Sequence, residues 1–213
     1  SHTGSHTGSQ AGSNPGAKPG WRPGELLTVT IAAPDGAGVL SAAAGVLAVN
    51  RLSVRAATAH SLRAMRVITF SVEPSFAGPP TAERLTTDLR RALEGTLDLS
   101  GRLREREAAY PPGRLPVARP DVQLHENAGT GATVVEVRAH DSAGLLFRVS
   151  QALVSCGCDV RTALVSTFGA EVVDAFYVTS NGAPLNDAGQ RSAVVDAVLA
   201  AAAGSTPDGI RLA

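Results

Sequence analysis

One short pattern occurs twice in the sequence, and its residue types could bind a small molecule. The pattern is Asp-x-Ala-Gly followed by two apolar residues, at positions 35–40 and again at 141–146. In each copy the glycine allows a tight turn, and the N–H groups that follow begin a helical pattern. Unpaired N–H groups and the helix dipole attract an anion at that place. Since Asp35 and Asp141 add a carboxylate beside it, the arrangement suits a zwitterion, whose carboxylate meets the N–H groups and whose ammonium meets the aspartate.

We predict that the ligand-binding residues lie in these two turns, with binding in one or both copies left open, and that three more residues could reach a ligand. Asn50 could reach the ligand across a subunit interface. Arg55 and Arg161 lie at matching positions in the second strand of each copy. They could contact an acidic ligand or partner, or they could simply be exposed. The alternative for the turns is structural, in which each aspartate caps its helix and each glycine makes the bend. The predicted ligand-binding residues are Asp35, Gly36, Ala37, Gly38, Val39, Leu40, Asp141, Ser142, Ala143, Gly144, Leu145 and Leu146, with Asn50, Arg55 and Arg161 as further candidates.

Signals for catalysis are weak in comparison. The sequence contains no Gly-x-x-x-x-Gly-Lys phosphate loop, no Gly-x-Ser-x-Gly elbow and no His-Glu-x-x-His helix. The pair His140-Asp141 is of the kind that binds metal in phosphohydrolases, but it stands alone, and the matching pair in the first copy is Pro34-Asp35. We therefore predict no catalytic residue, metal site or cofactor in this chain.

The two turns belong to a longer internal repeat. When the sequence is shifted by 106 positions, residues 28–74 align with 134–180 without a gap, and about fourteen of the 47 positions are identical. A repeat of this period is longer than a solenoid or propeller unit, so it indicates two copies of one small domain.

Hydrophobic periodicity places both turns between a strand and a helix. Strands are predicted at 26–33, 52–59, 64–72, 133–139, 158–166 and 170–179, and helices at 39–49, 81–94, 145–155 and 186–203, with one or two further helical turns at 99–107. A fourth strand for each unit is expected late, at 121–125 and at 210–212. The order β-α-β-β-α-β predicts an α+β fold of two tandem ferredoxin-like domains, each an antiparallel sheet with helices on one face.

The expected domain boundaries follow from composition. Residues 1–24 are a low-complexity segment rich in Gly, Ser and Pro, which we expect to be a disordered linker. The first domain is predicted at 25–110, with its late strand near 121–126, followed by a proline-rich connector at 111–130 and the second domain at 131–213.

Bulk composition narrows the classes of partner. Lys plus Arg and Asp plus Glu both number 19, and there are two Tyr and one Trp. A chain without a basic excess or aromatic platforms is not expected to bind nucleic acid, and no apolar run is long enough to predict a membrane span. The Cys-Gly-Cys at 156–158 suits neither a disulfide nor a zinc site, so we expect reduced thiols and a cytoplasmic protein.

The two turns and the strands around them resemble the ACT domain, a small ligand-sensing module of amino-acid metabolic enzymes. The resemblance rests on PDGAGVL and AGVLAVNRLSVRAA in the first copy and on HDSAGLLFRVSQALVSCGCDVRTALVSTFGAEVVDAFYV in the second. It covers about residues 26–203. Both copies depart from the family at Ala37 and Ala143, where proline is usual before the glycine, so we expect a looser turn.

The resemblance implies a function for the chain. Tandem ACT domains of this kind form the regulatory region of an enzyme that attaches and removes a nucleotide on the PII signalling protein in response to glutamine. Such an enzyme has nucleotidyltransferase and HD-type phosphohydrolase domains, which use Mg²⁺ and are not among these 213 residues. The implied ligand is glutamine, the implied partner is PII, and ACT–ACT pairing or a homodimer is expected.

Two other functions stay open at this point. The chain could be a free-standing ACT-repeat regulator that acts by protein–protein contact, and the coding sequence upstream would distinguish the two. An RNA-binding domain of similar topology would need aromatic residues on its strands, where Ser53, Arg55, Thr69 and Ser71 stand instead.

Overall fold

The repeat folds into two similar units. The computed structural model describes residue 22 and residues 24–36, 38–75, 78–109, 119–127 and 129–204. The first unit consists of β1 (Leu27–Pro34), α1 (Val39–Val49), β2 (Leu52–Leu62), β3 (Met65–Pro74), α2 (Ala82–Leu93) and α3 (Leu99–Ala109). The second consists of β4 (Asp121–Asn127), β5 (Ala132–His140), α4 (Leu145–Ser155), β6 (Asp159–Phe168), β7 (Glu171–Thr179) and α5 (Ala188–Ala202).

The strands of both units form one antiparallel sheet of seven strands. Its order is β1-β3-β2-β6-β7-β5-β4, and the two units meet where β2 pairs with β6, from Ala56 opposite Ser166 to His60 opposite Thr162. The predicted α+β class is confirmed, and the architecture is compatible with tandem ferredoxin-like ACT domains. The prediction of separate sheets is corrected, because each unit covers the exposed edge strand of the other.

The strand predicted to complete the first unit belongs to the second. Residues 121–125 lie in β4, which pairs with β5 from Asp121 opposite Arg138 to Asn127 opposite Ala132, at the far end of the sheet from β1. The short connection between β4 and β5 favours this hairpin over a return to β1. Within the described residues the first unit therefore has three strands. The second unit has four, and β4 is the first of them in the sequence. The strand expected at 210–212 and the segment 1–21 lie outside the described residues.

Helix α1 is buried on every side. Every residue from Val39 to Ala48 is buried, as expected for a helix that is apolar all round. It packs against α4 at Gly45, where a Cβ atom would lie 2.7 Å from Leu99 Cδ1 and 2.8 Å from Phe147 Cδ2. The absence of a side chain at Gly45 thus allows α3 and α4 to approach α1. Helix packing and strand pairing together hold the two units in one body.

Candidate functional site

The two predicted ligand turns share two backbone features, although Ala37 of the first turn lies outside the described residues. The N–H of Asp35 donates to the Ala64 carbonyl at 2.9 Å, and the N–H of Asp141 donates to the Ala170 carbonyl at 2.8 Å. Each turn ends in a left-handed glycine that precedes the helix, Gly38 with φ 90° and Gly144 with φ 75°. A non-glycine residue would be strained at these φ values, which explains why the glycine is present in both copies.

The carboxylates of the two aspartates do not cap the helices. Gly38 and Gly144 are the N-cap residues of α1 and α4, and neither helix has a side-chain cap among the described residues. Asp35 instead accepts a hydrogen bond from Arg66 Nε at 2.8 Å, and Asp141 accepts one from Arg55 Nη1 at 3.2 Å. The structural alternative of aspartate capping is therefore wrong, and each carboxylate already faces a cation.

The two turns lead into two crevices between the units, and the first crevice is closed. Arg66 fills it: only 3% of its side chain is exposed, and its guanidinium also pairs with Asp159 at 3.0 Å and donates to the Val160 carbonyl. The space left beside Gly36, Gly38 and these groups is about 10 Å³. No ligand larger than water fits there while Arg66 holds this position.

The second crevice is open. The repeat places Val172 where the first copy has Arg66, and the shorter side chain leaves a cavity of about 150 Å³. An apolar cavity of roughly this volume holds a molecule of the size of benzene. We call it the inter-unit cavity, since α1 and β2 of the first unit and the turn, α4, β6 and β7 of the second line it. Its lining residues are Ala44, Ala48, Arg51, Leu52, Ser53, Val54, Arg106, Asp141, Ser142, Ala143, Gly144, Leu145, Leu146, Phe147, Val165, Thr167, Val172 and Asp174.

The inter-unit cavity offers hydrogen-bond donors for an anion. The N–H groups of Leu146 and Phe147 lie in the first turn of α4, which an α-helix leaves without acceptors of its own. Arg51 and Arg106 line the same space. Together with the partial positive charge of the helix start, these groups suit a ligand carboxylate.

A buried carboxylate, Asp174, faces the same cavity. Only 1% of its surface is exposed, and among the described residues its one hydrogen bond comes from the Ser166 N–H, at 3.3 Å. Burial raises the pKa of Asp174 to about 7; the Ser166 N–H opposes this effect and the nearby Asp141 carboxylate adds to it. Burial also raises the pKa of Asp141, against the lowering effects of Arg55 and His140.

Sequence reasoning missed Asp174, although a signal was present. Strand β7 alternates so that Val172, Phe176 and Val178 are buried, and an acid stands in the middle of that series. The matching residue of the first copy is Ile68, which is fully buried. An acid where the repeat has isoleucine marks a position at which packing alone does not explain the side chain.

The second turn is braced from two sides by Arg148 and α3. Arg148 donates to Ser142 Oγ at 2.8 Å and to the Ala143 carbonyl at 2.9 Å, and it reaches Glu107 of α3 at 2.9 Å. Burial lowers the pKa of Arg148, and Glu107 opposes this effect. Leu103 of α3 packs against the glycine of the turn, Gly144. A change in the conformation of the turn would therefore alter its contacts with α3 directly.

The three further candidates have different surroundings. Arg55 joins the site through its pair with Asp141 and is also held by Glu73 at 2.8 Å. Arg161 is more than half exposed and pairs with Asp159 at 3.5 Å. Asn50 donates to the Val46 carbonyl and to Asp88, both at 3.0 Å, and does not line the inter-unit cavity.

A larger hollow adjoins the inter-unit cavity. It has a volume of about 700 Å³ and shares five lining residues with it, including Arg51, Arg106 and Asp141, while His140 lines only the hollow. Among the residues that the structure describes, no group of three or more His, Cys, Asp and Glu side chains is placed to hold a metal ion. No helix in the described part of the chain is long and apolar enough to cross a membrane.

Comparisons with protein-family models and with solved structures do not identify a family for this chain. No protein-family model matches it. A solved structure of an unknown protein from Galdieria sulphuraria covers 83% of this chain and 92% of its own, but at a TM-score of 0.25 and 13% identity this likeness is too low to be informative.

Curated relatives give a much stronger signal. The chain is 48% identical over 164 residues to the bifunctional uridylyltransferase/uridylyl-removing enzyme of Streptomyces coelicolor, which covers 73% of this chain and 20% of that protein. The protein of the same name from Mycobacterium tuberculosis is 35% identical over 170 residues, and that from Gluconobacter oxydans is 32% identical over 157. The chain spans about a fifth of the length of these relatives. The chain is thus homologous to a segment of the bifunctional uridylyltransferase/uridylyl-removing enzymes.

Proposed function

We propose that this chain is the amino-acid-sensing region of an enzyme that attaches and removes a nucleotide on the PII signalling protein. Its ligand is glutamine, and the site is the inter-unit cavity at the turn 141–146. The observation that carries the proposal is an open cavity between two repeated units, bounded by helix N–H groups and a carboxylate. Those are the groups that a free amino acid needs at its two charged ends.

The charges of the site fit a zwitterion without rearrangement of the turn. The ligand carboxylate meets the N–H groups of Leu146 and Phe147, and the ammonium meets Asp141. A carboxylate has about four acceptor positions, so Asp141 can accept from a ligand while Arg55 keeps its own hydrogen bond. Because Arg55 is held by Glu73 as well, it can also stay in place if Asp141 turns towards the ligand.

The location of the cavity supports a regulatory role. A ligand there contacts both units, and the turn that holds it is linked through Arg148 to α3 and to the Ala201 carbonyl of α5. Glutamine would therefore favour one arrangement of the units over another, which is what allosteric control requires. Mg²⁺ would serve the catalytic domains of the parent enzyme, and we assign none of these residues to it.

A titration with matched aspartate variants tests the proposal. Calorimetry of the chain against a panel of amino acids should show glutamine as the preferred ligand. Asp141→Ala should weaken glutamine binding by about tenfold or more, since a charged hydrogen bond is lost. Asp35→Ala removes the matching residue of the closed first crevice and should leave the affinity unchanged. Absence of glutamine binding, or equal effects of the two substitutions, would contradict the assignment.

A further inference from the structure

We propose that Asp174 is the specificity-determining residue of the inter-unit cavity, where its carboxylate accepts hydrogen bonds from the side-chain carboxamide of the ligand and excludes a side-chain carboxylate. The residue would make the site accept glutamine and reject glutamate, which has nearly the same shape. This inference rests on the proposed function and goes beyond it by naming the group that distinguishes the two amino acids.

The two carboxylates of the inter-unit cavity lie at different depths. The side chain of Asp141 is 30% exposed and lies at the turn, whereas Asp174 is 1% exposed and lies on β7 under the helices. A ligand whose ammonium meets Asp141 and whose carboxylate meets the start of α4 has its charged end at the turn. Its side chain then extends inward, towards Asp174.

The carboxylate of Asp174 has unused hydrogen-bonding capacity. In the described part of the chain it accepts one long hydrogen bond, from the Ser166 N–H, although a carboxylate can accept about four. A buried acid with so few partners costs stability. A carboxamide NH₂ supplies two N–H donors, so it would satisfy this carboxylate without bringing in a second charge.

The two copies differ both at the position of Asp174 and in the openness of the crevice. The first copy has Ile68 at the matching position and a crevice filled by Arg66. The acid and the open cavity thus occur together in the second copy, and their apolar and closed counterparts occur together in the first. This pairing is expected if Asp174 serves the occupant of the cavity.

The charge around Asp174 determines how selectivity depends on pH. Asp141 from the turn faces the same space, as do Arg51, the residue before β2, and Arg106 from α3, while His140 lies beside Asp141 in the adjoining hollow. Because the pKa of Asp174 is near 7, the residue is ionised above neutral pH and rejects glutamate there. Below neutral pH its protonated form can donate to a carboxylate, so the preference for glutamine should narrow.

The test compares glutamine and glutamate binding by calorimetry at pH 8 in the wild-type chain and in variants. In the wild type glutamine should bind the more tightly. Asp174→Asn should weaken glutamine by roughly tenfold to a hundredfold and reduce the glutamine-to-glutamate ratio by at least tenfold. Asp159→Asn changes an aspartate that faces the closed crevice and should leave the ratio unchanged.

A second ligand and a second variant make the result specific. Glutaramic acid, which is glutamine without its α-amino group, should suffer the same loss with Asp174→Asn; no loss would place the ammonium on Asp174 and overturn the inference. Asp174→Ile restores the residue of the first copy, so it should fold stably, as checked by thermal unfolding, and should no longer bind glutamine. Retained glutamine binding in this variant would overturn the inference as well.

The outcomes separate this inference from the proposed function. If the wild type prefers glutamine and Asp174→Asn keeps the same ratio, the specificity role is wrong and the sensing site stands. Equal binding of glutamine and glutamate by the wild type also overturns the specificity role. If the wild type binds neither amino acid, the proposed function fails and the inference fails with it.

Discussion

At the scale of single residues, two replacements between the copies separate a closed crevice from an open one. Arg66 in the first copy fills its crevice and forms ion pairs with Asp35 and Asp159, whereas Val172 in the second leaves room. Asp174 in place of Ile68 then puts a carboxylate in the space that is left. The turn is therefore common to both copies, and the residues that differ between the copies determine which crevice can hold a ligand.

The pH dependence of stability follows from the raised pKa of Asp174. Its pKa rises from 3.8 in the unfolded chain to about 7 in the folded one, so folding favours the protonated form. Stability from this group is fully present below pH 3.8 and is lost as the pH rises through about 7, an effect of up to ~4 kcal/mol. Urea unfolding at pH 5 and pH 8 should show a loss of about 3 kcal/mol, the part of this effect that falls between those two pH values.

Asp174→Ile removes the titrating group and serves as the comparison for that measurement. The variant should show a smaller loss of unfolding free energy between pH 5 and pH 8 than the wild type. Equal pH dependence in the two proteins would show that Asp174 does not titrate in this range.

At the scale of elements, helices with a clear hydrophobic periodicity were predicted correctly from the sequence. Helices 39–49 and 145–155 were predicted with the observed bounds, because the glycine before each and the apolar spacing within each mark both ends. The position of β4 could not be predicted, since a strand at 121–125 fits an edge in either unit and only pairing selects one. Helix α3 was underestimated as one or two turns, although Leu99 and Leu103 are buried one helical turn apart.

The candidate site was predicted in part for related reasons. The turn pattern identified where the crevices lie, and Asp141–Leu146 line the open one. The closing of the first crevice depends on Arg66, which lies 31 positions from Asp35 in the sequence and stands opposite Ala33 on the adjacent strand. Such contacts between distant segments are set by strand register and are not visible in a local pattern.

Packing at Gly45 supplies a test at this scale. Gly45→Val would force Leu99 and Phe147 away from α1, because even a single Cβ atom lies under 3.0 Å from both. We expect a loss of about 1–3 kcal/mol in unfolding free energy, measured by thermal or urea unfolding. Gly36→Val is the matched control, since a Cβ at Gly36 meets no atom within 4 Å. Equal stability of the two variants would contradict the tight packing of α1 against α3 and α4.

At the scale of the whole molecule, the open cavity lies at the joint between the two units. Strands β2 and β6 pair beside it, α1 packs on α4 behind it, and α3 covers the turn that leads into it. A ligand in this place makes contacts that exist only when both units are docked. Together with the homology to uridylyltransferase/uridylyl-removing enzymes, this arrangement supports our proposal that the chain senses an amino acid on behalf of the catalytic domains of a parent enzyme.

A crystal structure of the chain grown with excess glutamine tests this account most directly. It should show one glutamine per chain in the inter-unit cavity, with its carboxylate at the start of α4 and its carboxamide at Asp174. Arg66 should still fill the first crevice. Glutamine in the first crevice, or an empty inter-unit cavity at saturating glutamine, would contradict the account.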